Sequence, residues 1–320
     1  MAAGLSISEQ LVLGNSPSRT PSTAQVTRAT SEIVLAALGF GAISILTVVA
    51  TQRGGATLLS VLSWRYLLAT IALIVLSRGV AQLRIPRRRA LAILLLGGGG
   101  QTLIALLALS ALRFIPASTL GFLFYTFPAW VALFGILRRT ERLDVRRGVS
   151  LLLALAGIAV MVGVPSNTAG SLTGVVMALA SAVAYALYIP LLEQLQKGIT
   201  PVAASAYVCA GAAFILVITS VTTGAFQIGM SVTAWGAILG LALVSTTAAF
   251  ILFLRGLATL GPLRSAIIST VEPFFTAVLA AVVLSQPLTP ATFAGGAMVA
   301  TAVVLLALTR NPVAITADSQ

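Results

Sequence analysis

The feature that most constrains this chain is a succession of apolar segments, each about 20 residues long, with little sequence between them. A helix of that length crosses the hydrocarbon core of a bilayer, whereas a soluble domain needs a charged surface. Of the 320 residues, 58% are hydrophobic and only 8% are charged. The sequence therefore predicts an all-α integral membrane protein.

Ten apolar segments can be recognised, separated by short connections that carry Gly, Pro or charge. They cover Glu32–Thr51, Leu58–Leu76, Ala90–Leu112, Ala117–Leu137, Gly148–Val164, Ser171–Leu192, Val202–Val221, Val232–Leu254, Pro262–Leu284 and Ala291–Thr309. Residues 1–30 are rich in Ser, Thr, Ala and Pro and lack the pattern of a cleaved signal peptide, so we expect a disordered cytoplasmic tail. Residues 311–320 are expected to form a second cytoplasmic tail.

The basic residues predict the orientation in the membrane. The net charge of +12 comes largely from clusters between apolar segments, such as Arg84–Arg89 and Arg138–Arg147, so it indicates topology rather than nucleic-acid binding. If both ends lie in the cytoplasm, only Arg53 and Arg113 fall on the opposite side. Because Lys and Arg resist translocation, this distribution predicts ten transmembrane helices with both termini on the cytoplasmic side of the cell membrane.

An internal repeat is visible when the second half is laid on the first so that Pro273 falls on Pro128. Other paired positions include Thr102 with Thr247, Trp130 with Phe275, Thr140 with Ser285, and Glu141 with Gln286. Residues 31–164 and 165–310 then form two five-helix repeats. Because five is odd, the repeats cross the membrane in opposite directions, and a substrate site is expected between them near the midplane.

Four short stretches occur in a characteristic order and spacing: Trp64–Ala69, Ser118–Phe134, Tyr185–Tyr188 and Arg264–Thr289. Through them, residues 31–310 resemble the ten-helix EamA type of the drug/metabolite transporter superfamily. The resemblance implies a ten-helix bundle around a central cavity and the transport of small metabolites, such as amino acids and amphipathic compounds. Gln286 departs from the family pattern, in which an acidic residue commonly follows the ninth helix.

Glu272 lies in the middle of the ninth apolar segment, where a carboxylate is costly and indicates a functional site. Ser265, Ser269 and Thr276 lie at helical spacing from it and are expected to form a polar seam along one helix face. The carboxyl group would then carry a proton or hold a cationic amine. The alternative is that neighbouring hydroxyl groups satisfy Glu272 and that it fixes helix packing beside Pro273.

Polar or small residues interrupt the third and eighth segments at the same position of the repeat. These are Gly97–Gly100 with Gln101 in the third segment, and Thr246 with Thr247 in the eighth. The glycines permit local unwinding or close backbone approach, and simple small-residue packing is the alternative. We expect Gln101, Thr246 and Thr247 to provide polar contacts in a cavity.

Arg65 and several aromatic residues complete the candidate substrate-binding set. Arg65 can extend its guanidinium to the membrane interface, pair with a carboxylate, or hold a substrate carboxylate. Tyr125, Trp130, Tyr185 and Tyr188 are candidates for an aromatic wall, with ordinary core packing as the alternative.

Several chemistries are excluded by residue types that are absent. The chain contains no histidine and a single cysteine, Cys209, which removes His-liganded metal sites, Ser-His-Asp chemistry and intrachain disulfides. No Gly-rich loop followed by Lys and Ser or Thr is present, so ATP-driven pumping within this chain is not expected.

We therefore expect a secondary transporter, not an enzyme, that moves amino acids or related amphipathic compounds by alternating access; efflux is preferred from the resemblance alone. Its partners would be a small-molecule substrate, membrane lipid and a coupling proton, without a cofactor, a metal or nucleic acid. Two alternatives stay open: an intramembrane enzyme, for which Glu272 is the only clear acid at membrane depth, and a non-transporting scaffold.

Overall fold

The computed structural model describes residues 22–77, 83–111, 113–115, 117–141, 143–162 and 172–308. Most of the predicted N-terminal tail and the whole C-terminal tail lie outside these residues. Residues 23–30 were expected to be disordered, but the first helix already begins at Thr23. The reason is a capping box, in which the Ser22 and Gln25 side chains each accept a hydrogen bond from the other's backbone N–H.

Ten helical segments make up the regular structure of the described residues, and no strand occurs among them. They are α1, Thr23–Val48 with the π-helical Val49–Arg53; α2, Leu58–Leu76; α3, Arg87–Leu95, the π-helical Leu96–Gly100 and Gln101–Ala111; α4, Ala117–Phe124 and Phe127–Leu137; α5, Val145–Val162; α6, Leu172–Gln196; α7, Pro201–Thr222; α8, Val232–Ala242, the π-helical Leu243–Ala248 and residues 249–260; α9, residues 262–269 and Glu272–Leu284; and α10, Pro290–Ala307.

The boundary between α8 and α9 is a sharp kink inside an otherwise continuous helical stretch. Val232–Ser269 contains 38 residues, which at about 1.5 Å per residue is nearly twice the thickness of a hydrocarbon core. Gly261 breaks it with φ 76°, ψ 173°, a conformation suited to glycine, and Pro262 follows. The predicted all-α fold with ten membrane-spanning segments is therefore confirmed within the described part of the chain.

An even number of spans places the beginning of α1 and the end of α10 on the same side of the bundle, which we name the tail side. Arg87–Arg89, Arg146 and Lys197 also lie at helix ends on the tail side. The opposite, or far, side carries Arg53. The basic residues in the described part of the chain are thus concentrated at the tail side, as the repeat and the helix count predict.

The helix packing follows the symmetry of an inverted repeat. Contacts between α1 and α8 have their counterpart in contacts between α6 and α3, and both pairs are extensive. The pairs α2–α7 and α5–α10 each join equivalent helices of the two repeats. In the α5–α10 pair the backbones meet at Gly157, where an added Cβ would lie 2.7 Å from the carbonyl oxygen of Gly295. The two repeats are therefore interleaved rather than side by side.

The glycine run of α3 serves helix packing. A Cβ at Gly97 would collide with the backbone of Val208, and one at Gly98 would lie 2.7 Å from the carbonyl oxygen of Gly211, both on α7. The helix is not unwound there, because it continues through a wider π-helical turn. Small-residue packing, one of the two alternatives for these glycines, is the one that the structure supports.

Candidate functional site

A cavity of about 530 Å³ lies between the two repeats. The first repeat contributes side chains from α1 to α4, and the second contributes Tyr185, Leu216, Phe250 and Glu272 from α6 to α9. Most of the lining residues belong to the far-side halves of their helices, and Tyr185, Phe250 and Glu272 lie near mid-depth. The cavity therefore extends from the middle of the bundle towards the far side.

Glu272 begins the second part of α9, directly after a turn at Thr270 and Val271. A carboxylate in the first helical turn is stabilised by the free N–H groups at that end. Glu272 lines the cavity, where Tyr125 and Arg65 are close enough to interact with it electrostatically. Its partners come from α4 and α2, so the alternative that hydroxyl groups of its own helix satisfy it is not supported.

The polar seam expected along α9 is not continuous. Ser269 donates to the Ser265 carbonyl oxygen at 2.8 Å, and both side chains are buried away from the cavity. Thr276 donates to the Gly41 carbonyl oxygen at 3.2 Å and so joins α9 to α1. In this structure the three residues do not line one surface with Glu272, because the turn before Glu272 interrupts the helical periodicity.

Arg65 lies inside the bundle rather than at the membrane interface. Only 5% of it is exposed, and its Nε–H donates to Thr246 Oγ1 at 2.7 Å. Its Cζ atom lies 4.9 Å from the centre of the Tyr66 ring, an arrangement typical of a cation–π contact. Extension of the side chain to the interface is therefore excluded, and Arg65 supplies positive charge to the cavity wall.

Tyr125, Tyr185 and Phe124 line the cavity on its aromatic side, and Phe127 packs against Tyr185 in the core. Phe124 stacks on Tyr185 with ring centres 5.5 Å apart, and Phe127 meets Tyr185 edge-on at 4.8 Å. Tyr188 stacks behind Tyr185 and is only 3% exposed. Its hydroxyl accepts a hydrogen bond from Gln101 Nε2 at 3.3 Å, so Gln101 lines the cavity while bound to Tyr188.

Two further candidates lie away from the cavity. Trp130 donates from Nε1 to Thr126 Oγ1 at 3.3 Å and packs near Phe134, in the tail-side part of α4. Thr247 lines a separate apolar hollow on the outer surface, formed with the end of α2. Consecutive helical residues point about 100° apart, so Thr246 and Thr247 cannot both face Arg65. Trp130 and Thr247 are therefore not among the residues that line this cavity.

Several lining residues were missed by sequence reasoning. Phe40 and Phe250 meet edge-on with ring centres 5.6 Å apart, but each lies in an apolar helix where nothing distinguishes a cavity residue from a core residue. Tyr66 and Thr102 each follow a predicted residue directly, and both line the cavity. The Thr102 hydroxyl has no hydrogen-bond partner among the described residues.

A charged cluster lies at the tail side of the bundle, opposite the side towards which the cavity extends. Glu141 Oε2 lies 2.9 Å from Arg147 Nη1, and Arg147 is only 7% exposed. Arg264, at the beginning of α9, is 2% exposed and acts on the same carboxylate. Burial raises the pKa of Glu141, and the attraction of Arg147 and then Arg264 opposes that shift. The cluster joins the first repeat to the kinked start of α9 in the second.

The sequence matches the model of the EamA-like transporter family twice, over residues 30–163 and 172–308. The chain belongs to that family. These two matches coincide with the two five-helix repeats, and together they cover most of the chain. It follows that this EamA-like protein is a multi-pass membrane transporter of the drug/metabolite transporter superfamily.

A solved structure shows the same fold. This crystal structure shares 22% sequence identity with the EamA-like chain and superposes with a TM-score of 0.66. The match covers 85% of this chain and 95% of the other. No curated protein is detectably similar in sequence.

Proposed function

We propose that this EamA-like protein is a secondary transporter of small amphipathic metabolites, amino acids or related compounds, that works by alternating access. The family supports transport in general. The observation that carries the substrate class is the cavity between the repeats, which has a guanidinium and a carboxylate in its wall together with aromatic rings. A ligand with charged and apolar parts suits such a site.

Each end of the ligand would have a different partner. The Arg65 guanidinium suits a substrate carboxylate, because its planar group can donate two parallel hydrogen bonds to it. Glu272 would hold an amine or, in the empty protein, a proton. Tyr125, Tyr185 and Phe124 offer ring surface to an apolar body. Gln101 and Thr102 are further polar contacts on the α3 side of the cavity.

The concentration of Arg and Lys at the tail side supports an orientation in which both termini are cytoplasmic and the far side faces outward. The cavity would then face outward in the structure described here. Efflux from the cell is the proposed direction, with a proton exchanged at Glu272 as the driving ion. In alternating access, rocking of one repeat against the other would expose the same site to the tail side.

Flux into proteoliposomes tests the proposal. Amino acids and amphipathic amines are first screened for thermal stabilisation of the purified protein, because a ligand that binds the folded state must stabilise it. We expect Glu272→Gln, which keeps the shape but removes the charge, to lower the flux of the stabilising compound by at least about tenfold. We also expect it to abolish the pH dependence of the flux.

The matched control is Glu193→Gln, which removes a partly exposed ion pair with Lys197 at the end of α6. Such pairs contribute little, so its flux should equal that of the wild type. If Glu272→Gln leaves both the rate and the pH dependence of transport unchanged, the role assigned to Glu272 is wrong.

A further inference from the structure

The orientation of the Arg65 guanidinium is fixed from two directions. Its Nε–H donates to Thr246 Oγ1 at 2.7 Å, and its Cζ atom lies 4.9 Å from the centre of the Tyr66 ring. One N–H and one face of the planar group are thereby occupied. The other four N–H donors belong to the two Nη atoms, and no described residue accepts from them. They are the donors that an anion in the cavity would meet.

Thr246 is held as a hydrogen-bond acceptor by its own helix. Its hydroxyl donates its single proton to the Leu241 carbonyl oxygen at 2.8 Å, five residues back within the π-helical region of α8. The oxygen then has only lone pairs left to offer. The Thr246 oxygen therefore accepts the hydrogen bond from the Nε–H of Arg65, a group that can only donate. The wider turn of α8 therefore determines where Arg65 is held.

The equivalent position of the other repeat acts in a similar way. Gln101 corresponds to Thr246 in the repeat and directly follows the π-helical turn of α3. Its side chain donates to the hydroxyl of Tyr188, on α6, at 3.3 Å. In each repeat, the residue at this position thus holds a side chain that belongs to a helix of the other repeat.

We infer that Thr246 is a positioning residue, which holds the Arg65 guanidinium with its two Nη groups ready for the anionic group of the substrate. This inference rests on the proposed function in so far as Arg65 is the residue that binds that anionic group. Thr246 itself is 0% exposed and does not line the cavity, so its effect on transport acts through Arg65.

Three related probes separate positioning from general damage. L-phenylalanine carries both charges, 3-phenylpropionate lacks the amine, and L-phenylalanine amide lacks the carboxylate. We expect Thr246→Val to raise KM for the two carboxylates by about tenfold, the usual loss for a hydrogen bond to a charged group. The maximal rate and the KM of the amide should stay close to wild type, and Thr246→Ser, which keeps the hydroxyl, should restore the carboxylate KM.

Ser245→Ala is the matched control, because Ser245 lies in the same π-helical turn and its buried hydroxyl has no partner among the described residues. It should leave all three KM values unchanged. An equal rise of KM for the carboxylates and the amide in Thr246→Val would overturn the inference, and so would a Thr246→Ser protein as impaired as Thr246→Val.

A second measurement is independent of the substrate. Phenylglyoxal modifies arginine, and mass spectrometry of the peptide that contains Arg65 reports the rate of modification at that residue. Thr246→Val should change this rate several-fold, whereas Thr246→Ser and Ser245→Ala should match the wild type. An unchanged rate in Thr246→Val overturns the inference. If the wild type transports none of the three probes but the modification rates change as expected, the proposed substrate class fails and the positioning role of Thr246 stands.

Discussion

At the scale of single residues, the energetic cost of placing a charged side chain in the membrane was the most useful guide to the site. A carboxylate and a guanidinium are expensive at membrane depth, and sequence alone therefore indicated Glu272 and Arg65, which both line the cavity. The same reasoning could not identify Phe40 or Phe250. An aromatic side chain in an apolar helix has no energetic cost in the membrane, whether it faces the core or the cavity. Nor could it show that Thr247 lies away from the cavity, because neither the turn before Glu272 nor the π-helical turns have a clear sequence pattern.

Tyr125 provides a prediction at this scale, because its hydroxyl interacts with Glu272 in the cavity wall. Tyr125→Phe keeps the ring and removes that hydroxyl, so Glu272 is held less firmly. We expect the KM of L-phenylalanine amide, a cation, to rise by about fivefold, in line with a net contribution of about 1 kcal/mol from one polar interaction. Proteoliposome flux measures it.

In the same assay, Tyr125→Phe and the wild type should have the same KM for 3-phenylpropionate, which has no amine. Tyr207→Phe is the control, because the Tyr207 hydroxyl bonds the Leu83 carbonyl oxygen at 2.9 Å, away from the cavity. The interpretation of the Tyr125–Glu272 contact would be wrong if Tyr125→Phe and Tyr207→Phe gave the same kinetics for the amide.

At the scale of helices, segment length predicted the number of spans, whereas the details of packing came only from the structure. The glycine run of α3 is an example. Gly97 faces the backbone of α7 so closely that no Cβ fits, while nothing lies within 4 Å of a Cβ placed on Gly99. Two neighbouring glycines of one π-helical turn thus have different roles, which the sequence Gly97–Gly100 does not distinguish.

Alanine at each position tests this difference. Gly97→Ala must push α3 and α7 apart, and overpacking of this kind costs about 1–3 kcal/mol of stability. Gly99→Ala meets no atom and reduces the flexibility of the unfolded chain, so it should stabilise the protein by up to about 1 kcal/mol. Thermal unfolding of the purified proteins should therefore rank Gly99→Ala at or above wild type and Gly97→Ala below it. Equal midpoints for the two variants would contradict the packing role of Gly97.

At the scale of the whole molecule, the two sides of the bundle carry different residues at equivalent positions of the inverted repeat. Glu141, Arg147 and Arg264 form a charged cluster at the tail side. The equivalent far-side positions carry Gln286, Thr292 and Thr119, which have no charge. The difference favours a closed tail side and an accessible far side, in agreement with the position of the cavity.

The repeat also predicts which residues line the cavity when the tail side opens. Leu120 and Phe124 line the far-side cavity, and the repeat places Ser265 and Ser269 at their equivalent positions. Both serines are buried here, and the Ser265 hydroxyl has no partner among the described residues. Alternating access would expose them to water from the tail side, which gives the polar residues near the start of α9 a function in the opposite state.

Thiol labelling from the tail side tests this exchange of states. In a Cys209→Ala background, which removes the one native thiol, Ser265→Cys should react slowly with a membrane-impermeant maleimide. Adding Glu141→Gln removes the carboxylate that pairs with Arg147 and attracts Arg264, which destabilises the closed state. Labelling should therefore become at least about tenfold faster. Glu193→Gln, which breaks only the partly exposed pair with Lys197, should leave the rate unchanged. Equal rates in the two glutamine variants would show that the Glu141 cluster does not hold the tail side closed.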